Sequence, residues 1–166
     1  MTGKRGTDRF RPELVRKVRD AVWQEEAPAP RRRIFISRQK VKRRRLLNEE
    51  QIWRILEPLG FERVLMEELP FEAQVELMKD TRVLVGSHGA GLTNMIFCAP
   101  ETQVLEIADL SFPNPNFYAL ASGLGHDYWL AEGEPVGEGH PLVLDMVADE
   151  EAVRNLVLAM LEHSGR

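Results

Sequence analysis

Read for apolar and polar positions, the chain falls into short apolar runs separated by stretches of helical spacing. Arg33-Ile-Phe-Ile-Ser37, Phe61 to Leu65, Val83 to Val85, Gln103-Val-Leu-Glu-Ile107 and His126 to Leu130 are short, rich in apolar residues and bounded by turn residues. That is the form of buried strands. Between them the spacing becomes helical. From Phe10 to Gln24 the apolar positions are Leu14, Val15, Val18 and Val22. Asn48 stands as an N-cap with Glu49 and Glu50 in the first turn of a helix that runs to Leu59, with Pro58 near its end and Gly60 as its terminator. Pro70-Phe71 starts another, with Val75, Leu77 and Met78 as its apolar positions up to Asp80. Leu92, Met95, Ile96 and Phe97 form one helical face before Ala99-Pro100. Phe117 to Leu124 is a short helix stopped by Gly125, and Asp149 caps a last helix, Glu150 to Glu162, with an apolar stripe from Val153 to Leu161. Residues 1–7 are read as disordered, Ala27-Pro-Ala-Pro30 as a break, and Gly133 to Pro141 as a loop.

Strands alternating with helices predict an α/β fold, a parallel sheet flanked by helices. Right-handed crossovers gather the strand carboxyl ends on one edge, where ligands bind. Ser37-Arg38, the loop after Val85 and Glu106 all fall on that edge. The organisation expected is an N-terminal helix and linker over residues 1–30 and a nucleotide-binding domain over 31–166.

The loop is Gly86-Ser-His-Gly-Ala-Gly-Leu-Thr-Asn94. Gly86, Gly89 and Gly91 allow a tight turn and close backbone approach to a bound group. A helix start just after it directs free N–H groups and the positive dipole end at one spot, the makings of an anion site. His88 adds an imidazole able to donate to phosphate oxygens or read a hydroxyl. The spacing G-x-x-G-x-G is not that of a dinucleotide fingerprint, no Lys-Ser or Lys-Thr pair makes a P-loop, and Ser87 lacks the glycines of a nucleophile elbow. Arg38 offers a planar fork suited to phosphate, and Glu106 an acceptor for two ribose hydroxyls. Together they describe a nucleotide-diphosphate site.

Composition narrows this further. The 166 residues hold a single cysteine, so neither an internal disulfide nor a cysteine zinc site forms, and Cys98 reads as a small buried hydrophobe. No D-x-D motif occurs, and His88, His126, His140 and His163 lack ligand spacing, so no metal is expected. His126 and His140 read as structural or exposed. No apolar run approaches the ~18 residues of a membrane span, and no signal-peptide core follows Met1. Charge is uneven: residues 1–45 carry 16 Lys+Arg against 5 Asp+Glu, the remainder 6 against 21. A basic run from Lys40 to Arg45 raises a nucleic-acid module as a rival, but it lacks interleaved aromatics and adjoins an acidic body.

Ile-Ser-Arg38, Arg45-Leu-Leu-Asn-Glu49, Leu59-Gly-Phe61, Leu69-Pro-Phe-Glu-Ala-Gln74, Val85-Gly-Ser-His-Gly-Ala-Gly-Leu-Thr-Asn94, Phe97 and Val104-Leu-Glu-Ile107 occur in that order. In this the chain resembles glycosyltransferase family 61, most closely over residues 33 to 107. The resemblance implies a GT-B enzyme of two Rossmann-like domains, of which this chain is the carboxyl-terminal, donor-binding one. It implies inverting transfer from a nucleotide diphosphate sugar, often UDP-linked, to a glycan or protein hydroxyl. No cofactor or obligatory metal is implied. Arg38 and His88 would be catalytic, and Ser37, Arg38, Gly86, Ser87, His88, Gly89, Ala90, Gly91, Leu92, Thr93, Asn94 and Glu106 would line the donor crevice. The acceptor site and the catalytic base would belong to an N-terminal domain outside this chain. The compartment would be the cytoplasm for a bacterial protein and the secretory lumen for a eukaryotic one. An inactive, nucleotide-binding regulatory domain is the second alternative.

Overall fold

A computed structural model describes residues 11–23 and 29–163. The expectations for residues 1–7 and for the first half of the break at Ala27 lie outside them. The five expected strands are present: β1 (Arg32–Ile36), β2 (Phe61–Val64), β3 (Thr81–Ser87), β4 (Gln103–Ala108) and β5 (Asp127–Val136). They run parallel in the spatial order β2-β1-β3-β4-β5. A sixth strand, β6 (Asp145–Ala148), pairs antiparallel with the far half of β5.

The wholly parallel sheet is thereby corrected. Residues 133–136, read as loop, continue β5 into a hairpin with β6. The sequence disguises this edge because glycine, proline and acid occupy it. Gly133 leaves room for the Met146 side chain, since a Cβ there would stand 2.6 Å from Met146 Sδ and the methionine would have to shift. Glu134, Pro135 and Val136 are all exposed, so this part of the strand shows no alternation of buried and exposed positions.

The helices are α1 (Pro12–Val22), α2 (Glu49–Leu56), α3 (Phe71–Lys79), α4 (Asn116–Leu124) and α5 (Glu150–His163). A 3-10 turn, Glu57–Leu59, prolongs α2 over Pro58, and Gly60 ends it at φ 77°. Gly125 likewise ends α4 at φ 79°. The helix expected from Leu92 is present as a 3-10 helix, Ala90–Phe97. Successive strand residues point to opposite faces, which sorts the apolar side chains into two cores. Ile34, Ile36, Leu84 and Val104 meet α3, α4 and the 3-10 helix, whereas Phe35, Val83, Val85, Leu105 and Ile107 meet α2 and α5. Each fully buried aliphatic side chain contributes about 1.5–3 kcal/mol, so both faces help hold the sheet.

Asn48 differs from its expected role. Its side chain makes no N-cap bond. Instead Nδ2 donates to the Ala148 carbonyl at 2.8 Å, and Oδ1 accepts from the Ala148 N–H at 3.1 Å. The unpaired backbone at the end of β6 competes successfully for that amide. Helix α1 packs onto the domain. Arg16 Nη2 donates to the Gly123 carbonyl at 2.9 Å and Trp23 Nε1 to the Phe97 carbonyl at 3.1 Å. Cys98 is fully buried and its thiol pKa is pushed up by burial, as expected of an inert hydrophobe. No helix among the described residues is long and apolar enough to cross a membrane.

His126 ties these layers together. Its Nε2 lies 3.0 Å from the Met95 carbonyl, at the end of the 3-10 helix, and its Nδ1 is buried without a partner among the described residues. Burial, then Arg19 of α1, holds its pKa below 6.5, against opposing pulls from the Met95 and Ala99 backbone and from Asp127. A base with a lowered folded pKa leaves stability intact above its unfolded value. Stability is then lost as pH falls from there towards the folded value. Thermal unfolding should therefore show a lower Tm at pH 5.5 than at 7.5, with a smaller acid drop in His126→Asn. An equal drop in both proteins would assign the acid sensitivity to other groups.

Candidate functional site

The chain leaves β1 for β2 on one side, then returns to place β3 on the other side of β1. The order of strands therefore reverses between β1 and β3, and in open α/β sheets the crevice beyond the carboxyl ends at such a switch point receives ligands. Ser37-Arg38 leaves β1 there, and His88-Gly89 leaves β3.

The exit from β1 is held by Glu49, which is buried in the first turn of α2. Its Oε1 accepts from Ser37 Oγ at 2.5 Å and its Oε2 from the Arg38 N–H at 2.8 Å. A carboxylate at a helix start gains from the dipole and from charge-assisted bonds, which offsets its burial. The Arg38 side chain then folds across the glycine loop. Nε donates to the Arg44 carbonyl at 3.1 Å and Nη2 to the Arg43 carbonyl at 3.2 Å, while Nη1 lies 2.0 Å from where a Cβ on Gly89 would stand. Gly89 is thus glycine because a guanidinium rests on it. Burial first, then the nearby Arg44 charge, lowers the Arg38 pKa.

From β3 the backbone carries one bond beyond the strand, His88 N–H to the Ile107 carbonyl at 2.8 Å. This aims the imidazole at β4. Glu106 pairs with Gly86 in the sheet register and is buried. Its Oε1 accepts from His88 Nδ1 and its Oε2 from the Tyr128 hydroxyl. Tyr128, on β5, has its pKa raised by burial and by the Glu106 charge. The far imidazole nitrogen, Nε2, lies 3.5 Å from Asn114 Nδ2, and Phe117 packs edge-on against the ring at 5.1 Å. Each oxygen of Glu106 thus accepts one bond inside the protein, and the carboxylate also lines the cavity beyond β4.

The remaining loop residues divide by burial. Ser87 and Leu92 are buried, with Leu92 packed beneath Gly86, where a Cβ would stand 3.2 Å from Leu92 Cδ2. Asn94 donates to the Gly91 carbonyl at 3.1 Å and braces the first turn of the 3-10 helix. Ala90 and Thr93 are exposed. Beyond β4 the crevice continues as a cavity of about 220 Å³ with Tyr118, Tyr128 and Leu130 among its walls, and a small one of about 30 Å³ beside His88. Ala108, Asp109 and Asn114 line both. Asp109 accepts through Oδ1 from the Ser111 N–H and hydroxyl, and its Oδ2 is buried with no partner among the described residues. Glu49, Asp109, Asn114 and Tyr128 were not among the site residues expected from the sequence. Only Glu49 had a local signal, its place within the motif ending at Asn48-Glu49; the others reach the site through strand register and loop path.

No three His, Cys, Asp or Glu side chains converge to hold a metal ion among the described residues. The basic run is partly spent on the protein itself, since Lys40 pairs with Glu68 and Arg45 with Asp145.

Comparison with known proteins adds an independent finding. Residues 2–105 match the family model described as Glycosyltransferase 61. A beta-1,2-xylosyltransferase of Arabidopsis thaliana is 30% identical over 97 residues, covering 51% of this chain and 18% of that protein. An EGF domain-specific O-linked N-acetylglucosamine transferase of Drosophila melanogaster is 33% identical over 90 residues, covering 52% and 17%. A beta-1,2-xylosyltransferase of Oryza sativa subsp. japonica is 34% identical over 110 residues, covering 63% and 19%. The matched stretches span less than a fifth of each of these relatives.

Proposed function

The chain belongs to glycosyltransferase family 61, and on that premise we propose that it is the donor-binding half of a GT-B glycosyltransferase. The donor is a nucleotide diphosphate sugar, UDP-linked, and the reaction is inverting transfer to a hydroxyl of a glycan or protein. The observation that carries this reading is the seat at the switch point, where the Arg38 guanidinium lies over Gly89 beside His88. A diphosphate leaving group gains negative charge as its bond to the sugar breaks, and preplaced donors aimed at that charge lower the barrier. Arg38 Nη1 and the free N–H groups opening the 3-10 helix supply such donors on this reading. His88 supplies a further contact through Nε2, with Glu106 and Tyr128 fixing the ring from behind. The cavity walled by Tyr118, Tyr128 and Leu130 suits a flat, partly apolar group such as a nucleobase. An acceptor hydroxyl needs a base for in-line attack, and on this reading that base belongs to the N-terminal domain of the whole enzyme.

Transfer without a metal ion is part of the proposal. The chain should bind UDP with similar affinity in EDTA and in magnesium or manganese chloride. Calorimetric titration under the three conditions checks it, and binding that appears only with a divalent ion would overturn the cation-free seat.

A further inference from the structure

The ladder between β5 and β6 ends at the pair Val136 and Asp145, and the chain between them, residues 137–144, forms the tip of the hairpin. Asp145 is fixed at the base of this tip. It accepts from the Arg45 N–H at 2.8 Å and from Arg45 Nη2 at 2.6 Å. The tip itself is loosely held. Residues 137–140 are exposed, and Gly137 and Gly139 take φ 98° and 141°, backbone that glycine enters without strain. A Cβ on Gly137 would meet nothing within 4 Å. A 3-10 turn, Pro141–Val143, then leads back to β6.

The tip reaches across to the loop that follows β4. The His140 ring packs edge-on against the Phe112 ring, with centroids 5.7 Å apart. The cavity of about 30 Å³ beside His88 has Phe112 from one loop and Pro141 from the other among its walls. That space admits a water molecule or two, not a phosphoryl group, and His88 is 9% exposed. A ligand can therefore reach the imidazole through this cavity only if a wall moves. Ala108 and Met146 are walls set in strands, whereas the glycine-bearing tip has few contacts to lose. We propose that the tip is a lid over His88, latched shut in the free protein by the His140–Phe112 contact and displaced when an anion enters. The identity of that anion rests on the donor-site reading above; the lid adds regulation of the same crevice. An edge-to-face ring pair shifts an equilibrium by roughly 2- to 12-fold. A latch of that strength lowers the population of the open seat, and so the apparent affinity, without blocking entry.

His140→Ala and Phe112→Ala each cut the latch from one side, and the double variant shows whether they act as one contact. The whole chain is titrated with UDP, inorganic pyrophosphate and uridine, with stopped-flow association for UDP and circular dichroism to confirm folding. Either single variant should bind UDP and pyrophosphate roughly 2- to 10-fold more tightly, through faster association. The double variant should gain no more than the single ones. Uridine affinity should not change, because neither ring lines the larger cavity beyond β4. A second readout needs no nucleotide. Modification of His88 by diethyl pyrocarbonate, located by mass spectrometry, should run roughly 2- to 10-fold faster in both single variants than in the wild type. Unchanged His88 reactivity in both folded variants would overturn the lid. So would unchanged or weaker UDP binding in the variants of a chain that binds UDP, since the rings would then be bystanders or part of the seat. If the variants unmask His88 as expected but no form of the chain binds UDP or pyrophosphate, the lid stands and the donor reading fails.

Discussion

Gly89→Ala should weaken nucleoside diphosphate binding by about 100-fold or more while the chain still folds. A Cβ at this position would stand 2.0 Å from Arg38 Nη1 and 2.6 Å from Arg38 Cζ. Those atoms are the far end of a flexible side chain, so the clash is relieved by swinging the guanidinium away. The backbone raises no objection, because Gly89 has φ 170°, extended and open to any residue. Stability should fall by about 1–3 kcal/mol, because the displaced guanidinium gives up its bonds to the Arg43 and Arg44 carbonyls, and the chain stays folded. Binding has two reasons to fail. The arginine leaves its seat, losing about 1.5–3 kcal/mol for a charged hydrogen bond, and the methyl group occupies the space through which phosphate approaches the backbone. Gly91 is expected to behave differently. A Cβ there meets Ile36 Cγ2 at 3.0 Å, a core atom, so Gly91→Val should lower Tm as well as affinity. Titration with UDP beside thermal unfolding distinguishes the two sites. A folded Gly89→Ala protein with wild-type affinity would show that the diphosphate does not lie on this loop.

The fold was largely legible because both faces of the sheet are buried in separate cores. Runs such as Ile34-Phe-Ile36 and Val83-Leu-Val85 feed alternate residues into the two clusters, and a strand covered on both faces announces itself as a continuous apolar run. The β5–β6 hairpin lacked that signal. Its strands sit at the sheet edge, where Pro135 and Glu134 are exposed, and its core contacts rest on Gly133 leaving room for Met146. The helix type after Gly91 was also hidden, since Leu92, Met95 and Phe97 bury equally well with three residues per turn.

The candidate site divides along the same line. Local motifs revealed the glycine loop, His88 and Ser37-Arg38, because their chemistry lies in adjacent residues. What each touches was not local. Arg38 spends two donors on its own loop, and the carboxylate behind its backbone comes from Glu49, eleven residues on. Glu106 was read as a ligand because it sits near the carboxyl end of β4. Register adds partners that the sequence did not show, since Gly86 beside it has no side chain and the adjacent β5 carries Tyr128 within reach.

Glu106 yields the second large effect, and it separates two roles. Glu106→Ala removes the acceptor for both His88 Nδ1 and the Tyr128 hydroxyl, and Glu106 itself is 1% exposed. A buried imidazole and a half-buried tyrosine hydroxyl left without their acceptor cost roughly 2–5 kcal/mol together, a fall in Tm of roughly 4–20 °C for a domain of this size. Glu106→Gln is milder and more informative. Its single carbonyl oxygen can satisfy one donor, while its amide turns an N–H group towards the other. The tyrosine hydroxyl can rotate to accept it, or the imidazole can move its proton from Nδ1 to Nε2. Either change alters what His88 presents to the crevice while the fold persists. If Glu106 acts through His88, Glu106→Gln should weaken UDP and inorganic pyrophosphate alike, and have little further effect in a His88→Asn background. Nitrogen chemical shifts of His88 should move with the change of tautomer, which a purely structural role would not require. If Glu106 instead binds ribose, UDP affinity should fall by about 1–2 kcal/mol, the scale of a hydrogen bond to a charged group, with pyrophosphate unchanged. Loss confined to UDP would thus return Glu106 to the ligand and leave His88 without its positioning carboxylate.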